Sequence, residues 1–352
     1  MLDIAAKRRR CSRMTLKTLI LAGVATILLG VTRLDAAQPG TCDRACLTDI
    51  VESYLAAMLA HDPTKLPLAR NARYTENGVE LPLPDGLWRT LQSVEKYRLI
   101  VADPRESTIG FFVKAVENGA PVLVATRLRL ADHRITEIES IASRLSATVG
   151  GGPSGLTRED HLGESTRAQF VTPLPVNGRH SREQLARIVN TYFTGIENNT
   201  GDKPPPFASD CLRLENGTQT TGRPLAAGAE PGPLNFGCSE AFRLGYYHED
   251  TRLRNRRVLA LDEERGLVYT GVFLDHDATI RSYKLKDGRT VTVRNTAPWT
   301  WMAHEVFQVN GSGQLSQVEA VLLSVPYGMR PGWSTGQHLP SPAAQRDGFK
   351  EY

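Results

Sequence analysis

The 352-residue chain carries little net charge, has only five cysteines and contains no uncharged apolar run of about 20 residues, the length that a membrane-spanning helix needs. Its formal charge of +4 arises at the N-terminus. Residues 1–37 contain seven cations and two anions, whereas the rest of the chain contains 35 cations and 36 anions. Binding of nucleic acid or of an anionic membrane through a charge field requires clustered Lys and Arg. The near-neutral body excludes partners of that class.

The sequence also lacks the short motifs of several enzyme classes. It has no Walker phosphate loop, no G-x-G-x-x-G after a strand and no G-x-S-x-G nucleophile turn. His304 and Glu305 begin the zinc motif H-E-x-x-H, but the position of its second histidine is Gln308. We therefore predict no metal site.

A basic stretch followed by a 15-residue apolar run, residues 18–32, opens the chain. This pattern, with small residues at its end, is typical of a secretory signal peptide, and we predict one at residues 1–37 with cleavage near Ala37. An uncleaved anchor is the less favoured alternative because the run is short. The protein is predicted to be secreted or periplasmic, without stable membrane insertion after cleavage.

Loss of the signal peptide removes Cys11 and leaves four cysteines. In an oxidising compartment an even set indicates two disulfides, for which three connectivities exist. We favour Cys42 with Cys46 and Cys211 with Cys238, because this pairing keeps each bridge within one half of the chain. A C-x3-C pair without a second pair or a His cluster argues against structural zinc.

The same order of features occurs on either side of residues 147–180, a stretch rich in Gly, Pro and Ser that is predicted to be a linker. A helical apolar pattern opens the first half at residues 46–60. Another opens the second half after Ser181, where S-R-E-Q forms a capping box. Tyr54 and Tyr192 occupy equivalent places, 138 residues apart.

Each half continues with a short strand pattern that ends in Glu-Asn-Gly, at Glu76 and at Glu215, and then with four longer strand patterns. The longer patterns are residues 98–102, 109–117, 121–130 and 135–141 in the first half, and 258–261, 267–274, 301–309 and 315–323 in the second. Helices followed by an antiparallel meander predict two α+β units. The predicted domains are residues 38–146 and 181–333, with a tail at 334–352.

This arrangement resembles the SnoaL-like, nuclear-transport-factor-2-like cone fold. The motifs that carry the resemblance are HDPTKLPLARNARYTENG (61–78) and GLW (86–88) in the first half, and CLRLENG (211–217), LDEERGLV (261–268) and VPYGM (325–329) in the second. In detail the chain is similar to a secreted bacterial and fungal group that carries this unit in tandem, over roughly residues 42–145 and 181–333. The resemblance implies two cone-shaped units, each with helices packed in a curved, mainly antiparallel sheet, that form an internal pseudo-dimer.

The resemblance also implies a chemistry. Isomerases, dehydratases, cyclases and epoxide hydrolases of this superfamily use Asp, Glu, His or Tyr for proton transfer, without metal or cofactor. We therefore expect a cofactor-independent lyase, isomerase or hydrolase that acts on a hydrophobic small molecule. Such chemistry needs a carboxylate or imidazole whose pKa approaches neutrality in a low dielectric. The alternative is a non-catalytic module that binds a small molecule or a protein. An oligomer is not required in either case.

The predicted catalytic residues lie in the second half of the chain. Glu215 or His276 would act as general base and Tyr192 as hydrogen-bond donor. Strand alternation places His276 on the apolar face of its strand, with Val268 and Leu274. Each residue also has a structural alternative: an ion pair beside the Asn-Gly turn for Glu215, a solvated strand end for His276, and a place in the core for Tyr192.

Further residues are predicted to contact the ligand: Tyr54, Glu76, Trp88 and Asn216, with Trp88 at the mouth of the cavity. An arginine cluster at residues 252–257 is expected mainly on a solvated face, with recognition of an acidic ligand as the minor alternative.

Overall fold

Two α+β units, each with one long helix and a curved, mainly antiparallel sheet, form the part of the chain that the computed structural model describes, residues 42–144 and 160–341. This confirms the predicted fold class. The predicted signal peptide and cleavage site, part of the linker and the end of the tail lie outside these residues. Within them, no helix is both long and apolar enough to cross a membrane.

The first unit begins with helix α1 (Arg44–Leu59), whose first turn is capped by the Asp43 carboxylate accepting from the Cys46 N–H. The apolar side of α1 buries Leu47, Val51 and Tyr54. The other elements are β1 (Leu68–Glu76), β2 (Val79–Glu80), α2 (Leu87–Thr90), β3 (Leu91–Asp103), β4 (Thr108–Glu117), β5 (Ala120–Ala131) and β6 (Arg134–Arg144). The strand order is β2-β1-β6-β5-β4-β3, with β1 parallel to β6 and every other pair antiparallel.

The second unit has the same plan. After the short helix α3 (Ala168–Val171), helix α4 (Arg182–Asn198) begins with the predicted capping box of Ser181 and Gln184. The remaining elements are β7 (Phe207–Glu215), β8 (Thr218–Gln219), α5 (Cys238–Leu244), β9 (Arg252–Asp262), β10 (Leu267–His276), β11 (Ser282–Lys284), β12 (Thr290–Thr292), β13 (Trp299–Val309), β14 (Leu315–Pro326) and β15 (Gln337–His338). The order β8-β7-β14-β13-β10-β9-β15 repeats that of the first sheet, with β15 added at one edge and β11–β12 as a separate hairpin.

The Asn of each Glu-Asn-Gly segment joins the first strand of its unit to the last. The side chain of Asn216 donates to the carbonyl of Leu322 and accepts from its N–H, both at 2.9 Å. Asn77 makes the same two bonds to Ala142, at 3.3 and 2.8 Å. Both asparagines adopt positive φ, a conformation that Asn tolerates better than most residues. In each unit, the Asn side chain therefore adds one pair of hydrogen bonds to the end of the parallel pairing between the first and last strands.

The two sheets pack against each other through the faces that turn away from α1 and α4. This interface is apolar at its centre, with Tyr97, Leu99, Val101, Phe112, Leu123, Ile141, Leu259, Tyr269, Phe273, Met302, Val306 and Val321 among its members. The ring of Tyr269 lies against Gly110 so closely that a Cβ there would come within 2.0 Å of it. Only glycine leaves room for this contact.

A buried ion cluster crosses the same interface. The Glu139 carboxylate on β6 accepts from Arg127 of its own unit at 3.0 Å and from Arg257 of the other unit at 2.6 Å. All three side chains are buried. Burial by itself raises the pKa of Glu139, but the guanidiniums of Arg257 and Arg127 hold it well below its usual value. Glu139 is therefore an ionised carboxylate between two cations.

The arginine cluster is not on a solvated face, and that prediction is wrong. Arg254, Arg256 and Arg257 are buried, because α4 covers one side of β9 and the first unit covers the other. A buried cation requires a paired anion. The partners are Asp275, Glu197 and Glu139, respectively.

The described parts of the predicted linker and tail pack on both units. Phe170 of α3 is buried in the interface. Elsewhere in the linker, Arg167 forms an ion pair with Glu319 of the second unit at 2.5 Å, and Asp160 pairs with Lys114 of the first unit at 2.6 Å. In the tail, the Thr335 hydroxyl accepts from Arg127 of the first unit at 3.2 Å and the Thr335 carbonyl accepts from Arg257 of the second unit at 2.9 Å, while β15 pairs with β9. These segments therefore add contacts between the units.

Both disulfides have the favoured pairing. Cys42 and Cys46 bridge the start of α1, and Cys211 and Cys238 tie β7 to α5, with Cα–Cα distances of 5.3 and 5.9 Å. The sequence separations of the bridged residues are 4 and 27. A bridge stabilises mainly by restricting the unfolded chain, and the effect grows with the loop that it closes.

Replacing Cys211 and Cys238 by Ala is therefore expected to lower the free energy of unfolding by about 3–4 kcal/mol, and replacing Cys42 and Cys46 by about 2 kcal/mol. Denaturant unfolding of the oxidised protein and of both double variants measures the two losses. A larger loss for the Cys42–Cys46 pair would contradict the loop argument.

Replacing Glu139 by Ala is expected to lower the free energy of unfolding by about 3–5 kcal/mol, because Arg257 stays buried without its carboxylate partner. Asp85→Asn is the control, since it breaks an exposed pair with Arg89 that contributes at most about 1 kcal/mol. Denaturant unfolding of both variants measures the difference. Equal losses would show that the buried cluster contributes no more than a surface pair.

Candidate functional site

In the first unit, Glu76 is buried and fully hydrogen-bonded. Its carboxylate accepts from the Tyr74 hydroxyl at 2.7 Å, from the Leu87 N–H at 2.6 Å and from the Arg144 guanidinium at 2.7 Å. These donors belong to β1, α2 and β6. Glu76 thus ties three elements of the unit together with both of its oxygens engaged.

Aromatic side chains fill the interior of the first unit beside Glu76. Tyr54 of α1 meets Trp88 edge to face, with ring centroids 5.2 Å apart, and Phe111 at 5.8 Å. Trp88 is fully buried and so lies inside the unit. Burial raises the pKa of the Tyr54 hydroxyl, which therefore stays neutral. The predicted ligand-contacting residues of this unit are packed against one another.

In the second unit, Arg213 brings two of the predicted catalytic residues together. Its guanidinium lies 3.2 Å from the Glu215 carboxylate and donates to the hydroxyls of Tyr192, at 3.4 Å, and Tyr247, at 2.6 Å. Arg213 takes the position that Tyr74 has in the first unit, two residues before the Glu-Asn-Gly glutamate. The second unit therefore has a charged group where the first has a phenol.

Glu305 on β13 is the central group of this cluster, and the sequence reasoning missed it. Its residue surface is 5% exposed, and its Oε2 has no hydrogen-bond partner among the residues that the structure describes. Burial first, and then the nearby Glu215 carboxylate, raise the pKa of Glu305 to about 8. At neutral pH the group is mainly a protonated acid. Strand alternation could have found it, because it follows Ala303 and precedes Phe307 on the apolar face of β13.

His276 lies at the end of β10, on the same interior face. Its Nε2 is 3.1 Å from the Asp250 carboxylate, and its ring stacks on Trp299 with centroids 3.9 Å apart. Burial by itself lowers the pKa of His276, but Asp250 outweighs it and raises the pKa above the ordinary value. Asp250 also contributes to the raised pKa of Glu305, so the pair belongs to the same electrostatic cluster.

Two insertions cover this end of the second unit. Residues 277–298 connect β10 to β13 where the first unit has the two-residue turn 118–119, and residues 220–237 lengthen the connection from β8 to α5. The first insertion carries the hairpin β11–β12, whose Tyr283 donates to the carbonyl of Tyr246 at 2.9 Å and packs on His248. A cavity of about 10 Å³ adjoins His276 and Trp299 beneath it, which is room for one water molecule.

The interior cluster consists of Tyr192, Arg213, Glu215, Tyr247, Asp250, His276 and Glu305. Exposure falls from the Glu215 side chain, which is 32% exposed, to the buried Glu305. A buried carboxyl group whose pKa is raised, as that of Glu305 is, can serve as a proton donor. The cluster can therefore support acid–base chemistry using protein groups alone.

Comparisons with known proteins match parts of the chain. Residues 178–322, most of the second unit, match the family described as "Domain of unknown function (DUF8021)". A search of curated proteins found no match. Similar solved structures include a protein with a ketosteroid isomerase-like fold from Catenulispora acidiphila, in complex with trimethylamine. It is 20% identical, covers 26% of this chain and 83% of its own, and has a TM-score of 0.21.

An LEH-like epoxide hydrolase from M. tuberculosis is 17% identical, covers 27% of this chain and 80% of its own, and has a TM-score of 0.21. Each solved structure thus spans about a quarter of the chain. The fold and the site together define a two-unit α+β protein with its acid–base cluster in the second unit, the part that the family match covers.

The raised pKa of Glu305 predicts a pH-dependent stability. In the unfolded state the Glu305 carboxyl has a pKa of 4.5 and loses its proton above that pH. In the folded state it keeps the proton up to about pH 8, so the two states differ by one proton between pH 4.5 and about 8. The free energy of unfolding therefore falls as the pH rises through this window and levels off above it. Glu305→Gln removes the titrating group, so its stability relative to the wild type is expected to increase across the window. Denaturant unfolding at a series of pH values measures it.

Glu240→Gln, on the exposed side of α5, is the control for the change from glutamate to glutamine. A difference for Glu305→Gln that does not change with pH would contradict the raised pKa.

Proposed function

We propose that the second unit binds a small molecule beside Glu305 and catalyses proton transfer without a metal or cofactor, as a lyase, isomerase or hydrolase. The observation that carries this proposal is the Glu305 carboxyl, buried, with one oxygen unpartnered among the described residues and with a pKa near 8. A buried polar group without a partner costs stability, and such a cost is characteristic of functional sites.

The proposed roles follow from protonation state and exposure. Glu305 holds a proton on a buried oxygen and acts as the acid. Glu215, partly exposed and paired with Arg213, acts as the base. Tyr192 stays neutral, since burial raises the pKa of its hydroxyl well above the ordinary value, and it serves as a hydrogen-bond donor.

His276 is the weaker candidate for the base. Its ion pair with Asp250 favours the imidazolium, and a protonated imidazole cannot accept a proton. We infer that His276 instead stabilises negative charge at the end of the cluster beneath the two insertions.

We place this activity outside the cytoplasm, as the N-terminal sequence predicts. The two disulfides support this, because such bridges persist in oxidising compartments. The predicted substrate is a hydrophobic small molecule, because Phe307 and Phe242 pack around Tyr192 within the same interior.

The second candidate function is binding without turnover. The observation that favours it is the small free volume at the cluster, about 10 Å³ beside His276. In this case the insertions move aside to admit a ligand, and the first unit, filled by its own aromatic side chains, is a structural partner.

The test is a turnover screen of the oxidised protein with epoxides, unsaturated ketones and 5-nitrobenzisoxazole, the last of which reports a base in an apolar site. On any substrate turned over, Glu305→Gln and Glu215→Gln are each expected to lower kcat by about 100-fold or more, and His276→Ala by less. Glu240→Gln is the matched exposed control and should keep full activity.

Activity that survives both carboxyl substitutions would overturn the assignment of these residues. Saturable binding of the same compounds without turnover, weakened by Glu305→Gln, would identify the non-catalytic module instead.

A further inference from the structure

Three side chains of the kinds that ligate soft metal ions lie together at the start of the first unit, apart from the Glu305 cluster. They are Cys42 and Cys46, at the beginning of α1, and His133, in the turn between β5 and β6. One ligand atom of each lies within 4.8 Å of the other two. We call these three residues the Cys-His cluster. Residues 42–144 and 160–341 contain no other group of three His, Cys, Asp or Glu ligand atoms at this spacing.

Only the folded chain brings the histidine to the cysteines. His133 comes 87 residues after Cys46 in the sequence. The sequence argument against zinc considered histidines near the cysteine pair in the chain, and so it could not include a residue from the β5–β6 turn. The fold thus supplies the third ligand that the C-x3-C pair lacks.

His133 occupies a backbone position that favours glycine. Asp132 and His133 both have positive φ, 48° and 59°, in the two-residue turn of the β5–β6 hairpin. Such turns usually carry Asn-Gly or Asp-Gly, because glycine reaches positive φ without steric cost. The His133 side chain is exposed, and its ring makes no hydrogen bond or ion pair within the described residues. Contacts within the fold therefore do not explain a histidine here, and its ring nitrogens are available to a ligand.

The two cysteines supply thiolates once their bridge is open. Their Cα atoms are 5.3 Å apart. Two sulfur ligands of one metal ion lie roughly 4 Å apart, given metal–sulfur bonds of about 2.3 Å, so this backbone spacing suits a shared ion. Cys46 is the third residue of the 16-residue helix α1, and a helix N-terminus stabilises a thiolate. Cys46 is partly exposed and His133 is exposed, which places the Cys-His cluster at the surface of the unit.

We propose that the Cys-His cluster is a redox-dependent Cu⁺ site. A dithiol reductant opens it: the reductant gives two electrons and two protons to the Cys42–Cys46 bond and becomes a disulfide itself. Cu⁺ then replaces the two thiol protons and binds both thiolates and one ring nitrogen of His133. With the bridge closed, the pair offers no thiolate and Cu⁺ is not bound.

The donor set selects the ion. Thiolate and imidazole favour soft and borderline ions such as Cu⁺ and Zn²⁺ over Mg²⁺ or Ca²⁺. Three donors complete a trigonal Cu⁺ centre, whereas Zn²⁺ takes four ligands. Because disulfides persist in oxidising compartments, the site is open in a chain whose bridge has not yet formed, or after reduction by a dithiol.

Anaerobic competition with bicinchoninate for Cu⁺ tests the proposal on the full chain, with Cys11→Ser in every sample to remove the fifth thiol. The reduced chain is expected to take up Cu⁺ far more tightly than the oxidised chain. His133→Ala should weaken the tightest site about tenfold or more, since even the outer partners of metal ligands contribute that much. Replacing Cys42 and Cys46 together by Ser should remove the site.

The matched controls are His338→Ala, at another exposed histidine, and the replacement of Cys211 and Cys238 by Ser. Both should keep the tight site. X-ray absorption of the Cu⁺-loaded chain should show two sulfur neighbours and one nitrogen, with the nitrogen lost in His133→Ala.

An unchanged Kd in His133→Ala, or equally tight binding by the oxidised chain or after replacement of Cys42 and Cys46, overturns the proposal. His133 is exposed, so its replacement should not move the thermal unfolding midpoint, and this keeps binding separate from folding. Uptake of Zn²⁺ without uptake of Cu⁺ overturns the copper assignment.

Discussion

The arrangement of the two units depends on placing ionised groups inside a buried interface. Glu139 reaches across to Arg257 while it also pairs with Arg127, and none of the three charges contacts solvent to any extent. Its counterpart one unit later, Glu319, pairs with Tyr97 and Arg167 from the other side. Removing charges from water is costly, so any placement of the sheets that separated these partners would leave a buried charge unpaired. The ion clusters thus favour one register of the packing that the apolar interface residues stabilise.

This packing leaves the two units with different interiors. Both have a tyrosine on the long helix and a Glu-Asn-Gly strand end, yet the first encloses Tyr54, Trp88 and a fully bonded Glu76. The second replaces Tyr74 by Arg213 and places Glu305 on the facing strand. The first interior therefore holds a carboxylate with both oxygens hydrogen-bonded, beside the Tyr54 hydroxyl and the Trp88 indole N–H, which have no partner among the described residues. The other retains a charged group and an acid with an unpartnered oxygen, and only that unit carries the insertions.

Much of the fold could be predicted from local signals. The capping box at Ser181 begins α4 as expected, and the disulfides follow from a rule about sequence proximity. The site was only partly predictable. Glu215 and Tyr192 do meet, but through Arg213, which lies within the motif CLRLENG and has no role in the sequence prediction. In the sequence, Glu305 stands out only as part of an incomplete H-E-x-x-H motif. Its raised pKa depends on burial and on the nearby Glu215 carboxylate, which only the packing of β13 brings together.

The sequence by itself determined the elements, their order and the repetition of the plan, because caps, turns and apolar periodicity act over a few residues. Only the tertiary structure decided which charged residues are buried. The arginines of β9 read as a solvated stretch, yet α4 and the first unit cover both sides of that strand. Residues far apart in the chain decide whether an ionisable side chain is solvated, is paired, or keeps its proton, as Glu305 does with a pKa of about 8. These residues meet only after the sheets have packed.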